Sequence, residues 1–363
     1  MNKSDAVYYK LAKVLDTLPN GFPSTENGVE IKLLKKVFTP EEADIFCDMR
    51  LTFETAEQIS QRTGRPLEGL EKMLKIMRAH GQLFGIKFGG TWIFKMVPWL
   101  FGIHEYQLPR LDREMAELME EYTPLYAQHF FKAKPQLMQV LPIEEEIPAE
   151  QLALPYEKVS ALIEKNQAFL ANECHCRKEQ ALVGKSCERP LDVCLAIAPI
   201  PGVFDKFPTG HVISKAEAYE LLKKAEEDGC VHLTQNMQNG QIFICNCCKC
   251  CCGVLRSINE WGLSAWDVVN SHYYAEIDSD MCIACGLCAE ERCQVGAIEE
   301  GDDAYRIVPE KCIGCGLCIR TCPVEAVKLV HKDREIIVPP PVTEDAWFEE
   351  RGKNRGVDFS TYK

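Results

Sequence analysis

No stretch of the 363 residues approaches the roughly 18 consecutive apolar residues that a membrane-spanning helix needs; the longest candidate, 92–103, is broken by Lys95, Pro98 and Gly102. The N-terminus has Asp5 and Lys10 where a signal peptide carries its apolar core, and no small-residue cleavage site follows, so the chain is expected in the cytoplasm. Positive charge is in deficit. Forty-one Lys and Arg against 54 Asp and Glu leave a formal charge of −13, which opposes general binding to a phosphate backbone. Also missing are G-x-G-x-x-G after a strand, G-x4-G-K-[ST], G-x-S-x-G and H-E-x-x-H, so neither a dinucleotide site, a P-loop, a hydrolase elbow nor a zincin helix is indicated. Hydride chemistry would need another subunit's cofactor or an unusual cluster. Cysteine is nearly absent from the first third and abundant afterwards.

The composition, 46% hydrophobic and 26% charged, is that of a core-forming chain, and its length predicts two or three domains of α+β multidomain class. Thr39-Pro-Glu-Glu42 is a capping box with proline at the first helical position, predicting a helix through Cys47 and Met49. A second helix is expected from Thr55 to Gly64. A third is expected from Pro66 to Gly81, with Leu70, Met73, Leu74 and Met77 on one face. Two alternating segments joined by Gly89-Gly90 then predict a tight hairpin.

Helix, turn, helix, hairpin resembles the winged-helix order. That resemblance implies a winged-helix-like domain over 1–107. Its recognition-helix counterpart carries Glu68 and Glu71 early, and 1–107 hold 14 basic and 13 acidic residues, so a structural or partner-docking role is preferred to DNA binding. Four further segments are expected: a helical connector and linker over 108–155, with a boundary in the acidic, proline-punctuated stretch from Leu141 to Pro148; a helical cysteine-rich metal-binding domain over 156–272; a two-cluster domain over 273–331; and an extended tail over 332–363. Helices from Tyr156 to about Asn172, and from the Ser214 capping box to Gly229, are expected to frame the middle cysteines.

The chain has 20 cysteines, which in a reducing compartment point to metal rather than disulfides. Residues 282–298, CIACGLCAEERCQVGAI, and 312–327, CIGCGLCIRTCPVEAV, are copies of one motif. Each offers three thiolates at C-x2-C-x2-C spacing, with small residues between them that admit backbone N–H groups to cluster sulfurs. The segment resembles the bacterial two-cluster ferredoxins. That resemblance implies two 4Fe-4S clusters with crossed ligands, one on Cys282, Cys285, Cys288 and Cys322, the other on Cys312, Cys315, Cys318 and Cys293. The first run departs from the pattern: four residues separate Cys288 from Cys293, which predicts a bulge, and Gln294 stands where the second run has Pro323.

Upstream lies a second array, Cys174, Cys176, Cys187 and Cys194, followed by Cys245, Cys247, Cys248, Cys250, Cys251 and Cys252. Thiolates at this density repel unless a cation neutralises them. One or two further iron–sulfur clusters are expected here, with zinc as the alternative. The simplest partition gives the first four cysteines to one cube and four of the later six to another. Adjacent residues diverge in either regular geometry, so two centres, or one centre and a redox pair, are expected. His175 and His211 are candidate ligands or proton carriers, though His175, flanked by two cysteines, is expected to turn outward, and Cys47 and Cys230 are expected to be structural. Residues 156–330 are similar to iron–sulfur proteins of anaerobic bacteria in which a cysteine-rich segment precedes a ferredoxin module.

The expected function is electron transfer, as a subunit of or donor to a cytoplasmic anaerobic oxidoreductase, with a redox partner such as a flavoprotein or another oxidoreductase subunit. Two alternatives are a reductase with a catalytic cluster or thiol pair in the middle array, and a redox-sensing DNA-binding regulator.

Overall fold

Threonine hydroxyls and the side chains three residues on start two helices by capping each other's backbone. A computed structural model describes residues 3–147, 153–185, 187–205, 207, 209–333 and 335–363. The chain divides into two units, 1–133 with 348–363, and 134–347. In the first, α1 (Lys3–Thr17) and α2 (Val29–Val37) precede α3 (Pro40–Phe46) and α4 (Ala56–Thr63). The expected capping box of Thr39 with Glu42 is present, and Thr55 with Gln58 forms another at the start of the second predicted helix. The third predicted helix, α5 (Leu70–Ala79), starts four residues later than Pro66, behind Gly69 in the left-handed region. Its buried Leu70, Leu74 and Met77 each contribute roughly 1.5–3 kcal/mol of burial. The hairpin β1 (Phe84–Phe88) and β2 (Thr91–Lys95) turns at Gly89 and Gly90, with φ of 56° and 89° as a two-residue primed turn requires. A short α6 (His104–Tyr106) and a long α7 (Arg113–Phe130) complete this part.

The second unit is built on a sheet where helices are expected. Its elements are β3 (Met138–Leu141), α8 (Val159–Glu164), β4 (Ala168–Glu173), α9 (His175–Leu182), β5 (Asp192–Ala198), β6 (His211–Ile213), α10 (Lys215–Glu227), β7 (Val231–Gln235) and β8 (Phe243–Cys247). After these come α11 (Gly253–Asn259), α12 (Ala265–Val268) and β9 (Val269–Asn270). Seven strands form one sheet in the order β6-β4-β5-β8-β7-β3-β9, antiparallel except for the β3–β9 pair. The expected helix from Tyr156 to Asn172 is therefore corrected. It stops at Glu164, where Asn166 donates to the Leu162 carbonyl at 2.7 Å, and the chain re-enters as β4. The capped helix after Ser214 forms as expected.

One sheet face, with Phe169, Leu195, Ile197 and Ile244, packs with Leu162, Ile163, Ala218 and Leu222 of α8 and α10. The period of two then turns Cys194 and Cys245 to the opposite face. The remaining strands are β10 (Tyr273–Ile277), paired with β13 (Val327–His331), and β11 (Ile298–Glu300), paired with β12 (Tyr305–Ile307).

Two boundaries differ from expectation. Leu141, where a linker is expected, ends a strand inside the seven-stranded sheet, and the units divide between Ala133 and Lys134. Pro148 lies outside the described residues. The tail expected to be extended forms α13 (Glu344–Arg355), and 348–363 belong to the first unit. Among the described residues no helix is long and apolar enough to cross a membrane.

Arg351 anchors that tail within the first unit. It is fully buried and donates to the carbonyls of Pro19 (3.1 Å), Ala133 (2.6 Å) and Phe130 (2.5 Å), with its guanidinium over the Phe130 ring. An orphaned buried carbonyl costs about 1 kcal/mol or more. Arg351→Met is expected to destabilise the first unit by about 3 kcal/mol in denaturant titrations monitored by near-UV circular dichroism; an unchanged midpoint would refute this anchoring.

Candidate metal centres

Two separate groups of four cysteine thiols line two open spaces in the 275–329 segment. Cys282, Cys285, Cys288 and Cys322 border one of about 330 Å³, with Ile277, Val324 and Val327. Cys293, Cys312, Cys315 and Cys318 border another of about 350 Å³, with Val295, Ile298 and Ile307. Each group takes three thiols from one run and one from the other, and the surrounding walls are apolar. Burial pushes the Cys288, Cys312 and Cys318 thiols up and Cys315 to about 12, so these sulfurs ionise only where a cation meets them. Sulfur donors of this number around space of this kind suit iron–sulfur cubes.

The two runs keep a common backbone logic despite the extra residue. Residues 288–292 form a single π-helical turn closed by Cys293 N–H to the Cys288 carbonyl at 3.0 Å, whereas Cys322 N–H reaches only three residues back, to Ile319. A π-turn accommodates one inserted residue. Cys293 consequently accepts from Ala297 N–H at 3.2 Å just as Cys322 accepts from Ala326 N–H at 3.2 Å. The expected bulge forms, and it restores Cys293 to the place equivalent to Cys322.

Gln294 has a role its proline counterpart could not fill. It is buried; its Oε1 accepts from Lys249 N–H at 3.0 Å, and its carbonyl accepts from Asn259 Nδ2 at 2.9 Å. This ties the Cys293 loop to the cysteine-rich turn after β8. The second run's loop is likewise held, Ile143 N–H donating to the Cys315 carbonyl at 3.1 Å. The first run is more open: Cys285 is exposed, and Met281 and Ile283 are 47% and 59% exposed.

Sequence patterning left the middle array ambiguous; the chain separates it into two groups. Antiparallel β5 and β8 set Leu195 opposite Ile244, and one residue further along this register sets Cys194 opposite Cys245. The extended β8 also puts Cys245 and Cys247 on one face. Cys174 caps α9, with Cys176 in its first turn, and Cys252 caps α11. Thiol hydrogen bonds link Cys176 to Cys174 and Cys252, and Cys247 to Cys245 and Cys252. Donation from Cys176 and Cys247 holds Cys252 well below the usual thiol range, against burial, and backbone N–H groups of Leu255 and Val254 add to it.

The second group is Cys187 with Cys248, Cys250 and Cys251, whose sulfurs all lie within 4.8 Å of one another. The simplest partition, which placed Cys187 with Cys174, Cys176 and Cys194, does not match this grouping. Hydrogen bonding with Cys251, then with Arg177, brings Cys248 down to about 5 despite burial, whereas burial and the Cys248 charge raise Cys250 to about 12. One thiolate thus forms at the cost of its neighbours.

Arg177 is buried between Cys230 and Cys248, donating to Cys230 Sγ at 3.2 Å and to the Asn246 carbonyl at 2.9 Å. The sequence marks it only as one of several nearby cations. His175, expected outward, is buried beside Glu179 (3.5 Å), while His211 is exposed near Asp192 (3.8 Å). Cys47 and Cys230 are buried as expected, with burial raising them to about 12 and about 11. Lys332 has no sequence signal. It is buried, and burial lowers its ammonium to about 8, opposed by the Cys312 thiolate.

A family model, the 4Fe-4S dicluster domain, matches residues 275–329, so this segment is an iron–sulfur module. No curated protein and no solved structure matches the chain at a significant level.

The loops between first and second cysteines supply one test. Ala284 sits at φ 52° and its counterpart Gly314 at φ 62°, where an added Cβ would stand 2.2 Å from the Tyr273 carbonyl. Ala284→Gly, relieving left-handed strain of about 1 kcal/mol, is expected to retain full iron. Gly314→Ala is expected to lose iron from the Cys312 group, read by iron content and by visible absorption; equal retention in both variants would refute the steric argument. A second test concerns charge. Protonated Lys332 favours an added electron nearby, so the potential of a cluster on Cys312 is expected to fall as pH rises through about 8. Lys332→Met is expected to lower it, at neutral pH, by on the order of tens of millivolts and to flatten the pH dependence in redox titrations.

Proposed function

We propose that the chain is a soluble multi-cluster electron carrier that serves a cytoplasmic oxidoreductase, with two 4Fe-4S clusters in the 275–329 segment and a further one in the middle domain. The observation that carries this reading is the pair of thiol-lined spaces with exchanged fourth cysteines. Bound clusters would supply one-electron acceptance and release; the chain holds them, excludes water and donates N–H groups to sulfur. The six thiols Cys174, Cys176, Cys194, Cys245, Cys247 and Cys252 offer enough donors for the further cluster.

The opening beside Cys285 is the proposed docking edge. Met281 and Ile283 are exposed there, and the exposed Asp278, Asp280, Glu290 and Glu291 flank them in the chain. An apolar spot in an acidic rim suits a redox partner with a basic collar, such as a flavoprotein or another oxidoreductase subunit. The first unit, winged-helix-like in its element order, fits partner docking better than DNA binding. Four of the basic side chains in this part are engaged internally: Arg62 with Glu54, Arg65 with Asp44 and Asp48, Lys75 with Glu71, and Arg78 with the Gly85 carbonyl.

Anaerobic purification is expected to yield brown protein with about twelve irons per chain, at four per cube. After dithionite reduction, Cys322→Ser is expected to change the same paramagnetic signal as Cys282→Ser, leaving the signal altered by Cys318→Ser intact. Colourless protein, or Cys322→Ser grouping with Cys318→Ser, would overturn the reading.

A further inference from the structure

Among the described residues, Cys187, Cys248, Cys250 and Cys251 are the one set of four thiols whose sulfurs all lie within 4.8 Å of one another, the mutual spacing that a single ion requires. Cys250 Sγ lies 3.3 Å from Cys187 Sγ and 3.5 Å from Cys248 Sγ; Cys251 Sγ lies 3.7 Å from Cys250 Sγ, and Cys187 Sγ lies 3.9 Å from Cys248 Sγ. Four thiolates placed tetrahedrally at the zinc–sulfur distance of about 2.3 Å stand about 3.8 Å apart. A cube gives every thiolate its own iron and spreads the sulfurs well beyond that. All four are free thiols, so the short separations are not disulfides.

We propose that these four cysteines bind one zinc ion in a closed, structural site distinct from the iron–sulfur centres. Local geometry supports a single-ion cage. After β8 the chain folds into a tight turn, with the N–H groups of Cys251 and Cys252 directed to the Cys248 carbonyl at 3.4 and 3.1 Å. This turn delivers Cys248 and Cys251 at the C-x2-C spacing common in zinc sites, with Cys250 between them. Cys187 closes the set from the α9–β5 connection, 61 residues away in sequence.

Charge is matched as well. Four thiolates around a divalent ion leave two negative charges, and buried Arg177 lies against Cys248 to offset one of them. The site would join the α9–β5 loop to the turn whose Lys249 N–H holds Gln294 beside Cys293. Zinc has no redox chemistry, so its place here is to fix loops rather than to carry electrons.

The test is metal analysis of the full chain, produced with both iron and zinc available and purified without oxygen. One zinc per chain is expected in the parent protein. Cys187→Ser with Cys251→Ser is expected to lose that zinc and keep its iron, whereas Cys174→Ser with Cys176→Ser is expected to keep the zinc and lose iron. Should the first variant fail to fold, zinc-edge X-ray absorption of the parent protein decides, with four sulfurs at about 2.3 Å expected. Loss of iron instead of zinc from the first variant, absence of zinc from the parent, or a zinc shell containing nitrogen or oxygen would each overturn the proposal. A failure of the electron-carrier reading would show separately, as missing iron in a protein that still holds its zinc.

Discussion

Mutual repulsion between thiolates governs the second unit. Cys248 is held low by hydrogen bonding with Cys251 and by Arg177, and Cys252 by hydrogen bonding with Cys176 and Cys247 and by the Leu255 and Val254 N–H groups, so each thiolate needs its neighbours protonated or a cation beside it. Such groups cannot hold several negative charges without a cation, and an arrangement that retains them in quantity is stable only when loaded. The fold then has to supply rigid donors from distant parts of the chain. The seven-stranded sheet does this by bringing β5 and β8 together and by letting α9, after β4, and the turn after β8 begin at the same end of the sheet on either side of β5.

The ferredoxin module is coupled to that sheet by hydrogen bonds rather than merely joined to it by chain. Gln294 and Cys315 both accept hydrogen bonds across the boundary, in the loops that carry the two cysteine runs. The one-residue insertion and the proline-to-glutamine exchange at 294 thus belong together. The π-turn keeps Cys293 in its symmetric place, and Gln294 uses the altered loop to reach Lys249 and Asn259. The two halves of the module are alike around sulfur and different toward their surroundings. The first run's loop faces solvent, and the second is packed against Tyr273 and Ile143.

Much of this was legible where local chemistry decides structure. The capping boxes at Thr39 and Ser214, the helix start at Thr55, the Gly-Gly hairpin and the cysteine repeat all encode their geometry within a few residues. The middle sheet was not. Val159, Leu162 and Ile163 do start a helix, but Ala168 to Ala171 are buried on both sides, and such a run has no period that separates strand from helix. Nor could spacing place Cys187. Its position depends on the sheet closing the α9–β5 connection onto the turn after β8, a long-range event that leaves no mark near Cys187 itself.

The pairing of Arg177 with Cys230 and Cys248 illustrates why charge in this region resists reading from composition. The chain carries 54 acidic and 41 basic residues, yet the cation that matters is one of the few taken out of water. An exposed lysine near a cluster is screened by solvent and shifts little, whereas a buried guanidinium held by the Pro190 and Asn246 carbonyls cannot relax away from the sulfur it faces. Lys332 is likewise buried, with its ammonium 4.7 Å over the Trp266 ring, and interacts electrostatically with Cys312. Two cations, each fixed by burial, therefore contribute more to the electrostatics of these thiols than the surface excess of carboxylates, which is free to serve association with a partner instead.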